Sequence, residues 1–301
     1  MPKARWFGRA RRLTAKKKLT EVMWDTVYAG GWPTRLGRPL GLQGPLRVRP
    51  YEIEIDRRGS EAVLKVGFLS DFHAGPATHP ALAAEACDAI ADEKPDLVLL
   101  GGDYVSFHAR HADHLVEPLS RLRPPLGIFA VLGNHDLIGD DGYIVRKLGE
   151  AGVRTLVNES VRLPPPHDDV WLVGLDNFEE GHPDAERAFA GAEGTRLLLM
   201  HSPDGLTTVG ARPFAAALCG HVHGGQFWIG GRSLISFHGP LSVQYLRGGV
   251  FPLDGGRTLV VSRGIGCGNL PMRRGADPEV VVCTFRPRPR TPTPPGEASH
   301  R

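Results

Sequence analysis

Apolar positions in this chain fall into short continuous runs separated by polar, glycine-rich breaks. VLKVGFL (63–69), DLVLL (96–100), GIFAVL (127–132), VWLVGL (170–175), RLLLM (196–200) and FAAALC (214–219) are runs of that kind. Their length and flanking turn residues read as strands buried on both faces. YEIEI (51–55) alternates instead, as a strand with one buried face does. Between the runs, apolar residues recur at helical spacing: Leu82, Ala86 and Ile90 within 79–92, Leu115, Leu119 and Leu122 within 112–122, and Ile144, Val145 and Leu148 within 141–150. Gly152 stands where a residue closing the last of these helices belongs. Strand–helix–strand repetition predicts crossover connections and a parallel or mixed sheet. Beyond residue 220 the helical spacing stops, and LSVQYL (241–246), TLVVS (258–262) and EVVVCTF (279–285) read as strands of a second sheet. The expected fold class is α/β, two mixed sheets packed as a sandwich with flanking helices.

The ends of the chain break this pattern. Residues 1–46 combine a basic run with the Gly/Pro-rich stretch GGWPTRLGRPLGLQGP, which is expected to punctuate rather than fold, and residues 286–301 are Pro-rich and polar. The globular unit is expected at 47–285. The formal charge of +3 hides a gradient: residues 1–20 hold eight Lys or Arg and no acid, leaving 28 basic against 33 acidic side chains, about −5, in the rest. A basic arm of that kind suits anionic phospholipid or nucleic acid, and a solvated terminus equally. No apolar segment comes after it that would serve as a secretion signal or cross a bilayer. Cys87, Cys219, Cys267 and Cys283 form no CxxC pair, which argues against a zinc knuckle or a disulfide scaffold. The reading is a cytoplasmic protein, at most peripheral at the inner face of a membrane.

The polar residues at the ends of the apolar runs change the picture. Asp71 and His73 come after the first, Asp103 (in GGD) after the second, Asn134, His135 and Asp136 (in GNHD) after the third, His201 (in HSPD) after another, and His221 and His223 (in GHVHGG) after the last. Carboxyl ends of strands in α/β sheets are where sites form, so these ends are expected to converge. Asp71 with His73, and His221 with His223, are two residues apart, a spacing that places both on one side of an extended backbone. Carboxylate, imidazole and amide oxygen without thiolate suit Mn, Fe or Zn. Seven such donors suffice for two ions if one carboxylate bridges, and paired ions are common apparatus for phosphoester hydrolysis.

The ordered set DFH, GGD, GNHD, a lone His and GHVH resembles the calcineurin-like metallophosphoesterases over roughly residues 64–285. The resemblance implies an αββα fold and two divalent ions, with manganese favoured. Asp71, His73, Asp103 and His223 would hold one ion; Asp103 as bridge, Asn134, His201 and His221 would hold the other. His135 would be the catalytic histidine, with Asp136 orienting it or a ligand. Leu132 before the GNH block and Tyr104-Val105-Ser106 after GGD depart from the protein phosphatases of the superfamily. HSPD, GHVHGGQ and the segment Ser262-Arg263-Gly264 through Pro271, Arg273 and Pro278-Glu279 are similar to a bacterial branch of membrane-associated phosphodiesterases, including UDP-2,3-diacylglucosamine pyrophosphatase-like enzymes. Arg263 is the candidate for gripping substrate phosphate. The activity implied is hydrolysis of a phosphodiester or pyrophosphate by in-line attack of a metal-bridging hydroxide, on a small or lipid-linked phosphoester such as a nucleotide sugar. The partners implied are that substrate and an anionic membrane touched through residues 1–20; nucleic acid is the weaker partner. The alternatives are a metal-dependent nuclease using the basic arm and a non-catalytic metal-binding module.

Overall fold

In a computed structural model of the chain, residues 23–57, 60–106, 108–234 and 239–289 are described. The expected basic run at residues 1–20 lies outside them, as does the tail from residue 290.

Each of the six continuous apolar runs contributes a strand. β1 (Arg47–Ile55), β2 (Leu64–Leu69), β3 (Leu97–Leu100), β4 (Ile128–Ala130) and β5 (Val153–Thr155) belong to one six-stranded sheet, in the order β1-β14-β2-β3-β4-β5, where β14 is Glu279–Pro287. β6 (Glu159–Arg162), β7 (Val170–Gly174), β8 (Thr195–Leu199), β9 (Ala216–Cys219), β12 (Gly249–Leu253) and β13 (Arg257–Val261) form the second, in the order β12-β13-β9-β8-β7-β6. A small hairpin of β10 (Trp228–Ile229) and β11 (Arg232–Ser233) stands apart. Both sheets are mixed: β2 to β5 run parallel, as do β7, β8, β9 and β13, while β14, β6 and β12 each add an antiparallel pairing.

Alternation along the strands explains why the runs lack polar interruptions. Leu64, Val66 and Phe68 of β2 with Leu97 and Leu99 of β3 face Leu172, Leu197, Leu199 and Leu218 of the second sheet, forming the core between the sheets. The intervening Leu69, Val98 and Leu100 point outward onto helices Ala81–Asp92, Asp113–Ser120 and Asp141–Glu150. Val173, Leu198, Ala217 and Leu259 do the same on the outer face of the second sheet. Both faces of the central strands are therefore dry, and a fully buried side chain of this size contributes about 1.5–3 kcal/mol. The result is the expected two-sheet sandwich with outer helices.

Three local expectations differ. LSVQYL is not a strand, because residues Pro240–Gln244 form a helix. Pro240 is preorganised for the first helical turn, and the buried Asp204 carboxylate accepts hydrogen bonds from the backbone N–H groups of Leu241 and Ser242, which an isolated helix start would leave unpaired. The stretch expected to punctuate also folds: Trp32–Gly37 is helical with Pro33 in its first turn, Thr34 is fully buried, and the buried Gln43 side chain donates to the Ala77 carbonyl at 3.2 Å. The third difference is small, β14 running on to Pro287 because it pairs along its full length with β1. All four cysteines are buried free thiols.

Candidate metal centre

The carboxyl ends of β2, β3 and β4 in one sheet and of β8 and β9 in the other meet at one rim. Immediately beyond β2 and β3 the two loops bond to each other, Asp71 N–H to the Gly102 carbonyl at 2.9 Å and His73 N–H to the Asp103 carbonyl at 3.0 Å. They do so in a conformation that differs from the extended one read from the sequence. Asp71, His73, Asp103, His221 and His223 all have positive φ, between 44° and 72°. This region is sparsely populated by residues other than glycine, and such residues concentrate at functional sites. Each pair two apart does bring its side chains into the site, but through turns, and His221 and His223 fall into different groups.

The first group is Asp71, His73, Asp103 and His223, all buried, each offering a donor atom within 4.8 Å of the others. His73 Nε2 lies 3.0 Å from His223 Nε2 and 3.4 Å from Asp103 Oδ2, and His223 Nε2 lies 3.5 Å from Asp71 Oδ1. The second is Asp103, His201 and His221. Asn134 belongs beside it: its Oδ1 lies 3.1 Å from both His201 Nε2 and His221 Nδ1. Asp103 is common to both groups, with its Oδ2 3.3 Å from His201 Nε2. All seven side chains expected from the sequence are thus together.

Electrostatics without a cation are frustrated here. Burial pushes the Asp71 carboxyl up to about 6 and the His73 imidazole down to about 3. Burial, followed by the neighbouring His73 and Arg273, also holds His223 well below its usual range. Burial opposes ionisation of Asp103, yet the surrounding histidines, His201 first, hold it well below the ordinary carboxylate range. His201 is the counterpart, since burial acts to lower it but the charge and hydrogen bond of Asp103 raise it to about 10. Two imidazole nitrogens facing each other at 3.0 Å, with carboxylate oxygens beside them and a buried His73 Nδ1 that has no hydrogen-bond partner, form a donor set that fits a divalent cation. The His201 Nδ1–H donates to the Gly101 carbonyl at 2.8 Å, which leaves Nε2, facing Asp103 and Asn134, as the ring atom able to ligate a cation.

His135 and Asp136 sit in the turn after β4. The His135 N–H donates to Asp103 Oδ1 at 2.9 Å, and its Nδ1–H to the Ser106 carbonyl at 2.8 Å. The half-buried ring meets His73 edge to face at 4.8 Å. Asp136 is fully buried and orients backbone rather than the His135 ring: its oxygens accept from the N–H groups of Asp103, Tyr104 and Gly133, each at 2.8 Å. Burial first, and the charge of Asp103 second, push its carboxyl up to about 8. Glycine is required next to these carboxylates. A Cβ on Gly220 would lie 2.1 Å from Asp71 Oδ2, and one on Gly133 would lie 2.1 Å from Asp103 Oδ1.

Arg263 packs against Gly224, the residue after His223. Its Nε donates to the Arg247 carbonyl at 2.9 Å and lies 3.8 Å from the Glu279 carboxylate. The arginine built into the centre is Arg273, buried, donating to the carbonyls of Gly266, Arg263 and Ala276 and approaching His223 Nδ1 at 3.1 Å. Only its place in the late segment marked it in the sequence. Glu179, from the loop after β7, carried no motif at all, yet its Oε1 lies 3.7 Å from His221 Nε2 and is buried without a hydrogen-bond partner. Asp204 serves the fold, tying the HSPD turn to helix Pro240–Gln244. His111 and His114 do not join the centre; they line a separate cavity with Asp25.

The profile of the calcineurin-like phosphoesterases matches residues 64–225, a range that holds the seven donor residues together with His135, Asp136 and Glu179. The chain belongs to the calcineurin-like phosphoesterase family. A metallophosphoesterase of Aquifex aeolicus is 29% identical over 250 residues, covering 80% of this chain and 92% of that protein. Phosphodiesterase YaeI of Escherichia coli is 33% identical over 179 residues, 56% of this chain and 64% of its own length. Among solved structures, a dimetal phosphatase from Danio rerio is similar at 12% identity and a TM-score of 0.44, covering 68% of this chain and 89% of its own. A calcineurin-like phosphoesterase is a phosphoric ester hydrolase with a dinuclear divalent metal centre, and the Asp/His cluster is this chain's candidate for it.

Proposed function

We propose that the unit of residues 47–285 hydrolyses a phosphodiester or pyrophosphate bond at this rim. The observation that carries the reading is the sharing of Asp103 between two donor groups drawn from both sheets. Asp71, His73, Asp103 and His223 would hold one ion, and Asp103, Asn134, His201 and His221 the other, with manganese favoured over iron or zinc. Bound there, two divalent ions would supply Lewis-acid charge and activate a water-derived oxygen for in-line attack at phosphorus. The protein's own contributions are positional. Asp136 fixes the Asp103 loop against the Asn134 turn, and Arg273 braces the turn that carries His223. The Ser106 carbonyl holds the Nδ1 proton of His135, leaving Nε2 to give a proton to the departing oxygen or to stabilise charge on the phosphoryl group.

The substrate class we propose is a small or lipid-linked phosphoester, and the charge of residues 1–20 supports peripheral contact with an anionic membrane. The test strips metal with a chelator, reconstitutes the full chain with Mn, Fe, Zn or Mg, and assays phosphomonoester, phosphodiester and nucleotide-sugar lipid substrates. Metal-dependent cleavage of the diester or pyrophosphate is expected. Two bound ions per chain with no hydrolysis of any substrate would leave a non-catalytic binding module. Salt-sensitive DNA cleavage lost on deleting residues 1–20 would favour the nuclease reading.

A further inference from the structure

The segment between the basic run and β1 has a buried inner side and an exposed outer one. Its inner side is already used: Tyr28, Thr34, Gly37 and Gln43 are buried, and the Leu42 carbonyl accepts from the backbone N–H of Arg273 beneath the metal centre. Its outer side remains apolar. Met23, Val27, Trp32, Leu36, Leu40 and Leu42 make up six of the twelve exposed large apolar side chains among the described residues, although they span only twenty positions. Trp32 is 52% exposed, Leu36 61% and Leu40 73%. A packed segment whose outward face is this apolar marks an interaction surface.

Its surroundings identify the occupant. Arg35 stands among the exposed residues, and the eight Lys or Arg of residues 1–20 precede them, followed by Glu21; Arg38 is instead paired with Glu85 at 2.6 Å. The acid within the segment, Asp25, lies 3.2 Å from His108 Nε2 and 3.5 Å from Arg110. An apolar face edged by cations, with an indole at its margin, suits the boundary between headgroups and acyl chains. We infer that residues 23–42 form a docking face for an anionic lipid bilayer, the apolar side chains entering the interface while the basic run binds headgroup phosphate. This deepens the peripheral contact proposed from charge, on which it rests, and is independent of which phosphoester is cleaved.

The full chain is sedimented with phosphatidylcholine vesicles, with and without about 30 mol% phosphatidylglycerol, and compared with Trp32→Ser/Leu36→Ser/Leu40→Ser. These positions are exposed, so the variant should stay folded, which its metal content and hydrolysis of a soluble diester would verify. Sedimentation of the native chain with anionic vesicles, falling about 10-fold or more in the triple variant, is the result expected from removing three large apolar contacts. Equal sedimentation of both proteins would assign binding to the basic run alone and overturn the docking face. No sedimentation of either would overturn both the face and the peripheral contact, while hydrolysis of the soluble diester reports separately on the phosphoesterase reading. A dimer in light scattering that the triple variant dissolves, without vesicle binding, would give the face to a second copy of the chain and overturn the lipid assignment.

Discussion

Replacing His135 by Ala separates chemistry from architecture at this centre, because the two depend on different atoms of one residue. The backbone N–H of residue 135 holds Asp103 Oδ1 at 2.9 Å and survives the substitution. The imidazole, with its bond from Nδ1 to the Ser106 carbonyl, is lost. One hydrogen bond of that type contributes about 0.5–1.5 kcal/mol, and the ring is only half-buried, so a small cavity is left. For a domain of this size that amounts to a fall of roughly 1–6 °C in Tm. A general acid or charge-stabilising group contributes about 10²- to 10⁴-fold to turnover, so kcat should fall at least ~100-fold, about 2.7 kcal/mol of transition-state stabilisation. KM on the same diester should move far less, since a group acting on the leaving oxygen adds little to ground-state binding. Elemental analysis beside steady-state kinetics decides the matter. Loss of metal with near-normal turnover per remaining ion would show His135 to be part of the metal scaffold and refute its chemical role.

The same separation can be pursued outward. In Asp136→Asn one oxygen becomes an amide nitrogen, so at least one of the buried N–H groups of Asp103, Tyr104 or Gly133 loses its acceptor. The cost is about 1–3 kcal/mol, seen as a Tm lower by roughly 2–12 °C, with reduced metal content; an unchanged melting curve would contradict it. Glu179→Gln removes the charge 3.7 Å from His221 Nε2 and should weaken binding of the ion proposed for Asn134, His201 and His221 by about 10- to 100-fold, the usual effect of a partner behind a ligating histidine. Titration calorimetry that finds both ions bound as in the native chain would exclude that role. In the metal-free protein His201 is raised to about 10 by Asp103, so its stabilisation is full below the ordinary histidine value and lost as pH rises through about 10. Asp71 and Asp136, raised to about 6 and about 8, act with the same sign, their stabilisation being lost as pH rises through those values. Metal-free Tm should therefore decline from about pH 6 to 10 and be rescued by divalent metal, whose affinity rises with pH by at most ~10-fold per unit for each proton displaced. A flat profile would refute the pairing of Asp103 with a protonated His201.

The strands were legible because burial on both sheet faces removes polar residues from them, as in Leu97–Leu100, all four positions of which are buried. The donor residues were legible because each comes directly after such a run. Other features were not. LSVQYL has the composition of a strand, and its helix depends on Asp204, 36 or more residues earlier, capping it from another turn. β5, β6 and β12 are short or half-exposed and have no continuous apolar signal. Glu179 acts through space on His221 from a loop with no motif, and no local pattern encodes that approach.

The geometry of the donors themselves shows why spacing alone misleads. Two residues apart on a strand means one shared face, yet β2 ends at Leu69 and β3 at Leu100, before any donor appears. Beyond those points Asp71, His73 and Asp103 turn left-handed, and each such residue costs of order 1–3 kcal/mol. The conformation persists because the Gly102 and Asp103 carbonyls accept from Asp71 and His73, while Asp136 gathers three N–H groups beneath them. The Gly220 and Gly133 positions admit no side chain against the carboxylates. The sandwich therefore holds unfavourable backbone and crowded lone pairs together before any cation arrives, so ions that satisfy those donors should stabilise the fold as they complete the site.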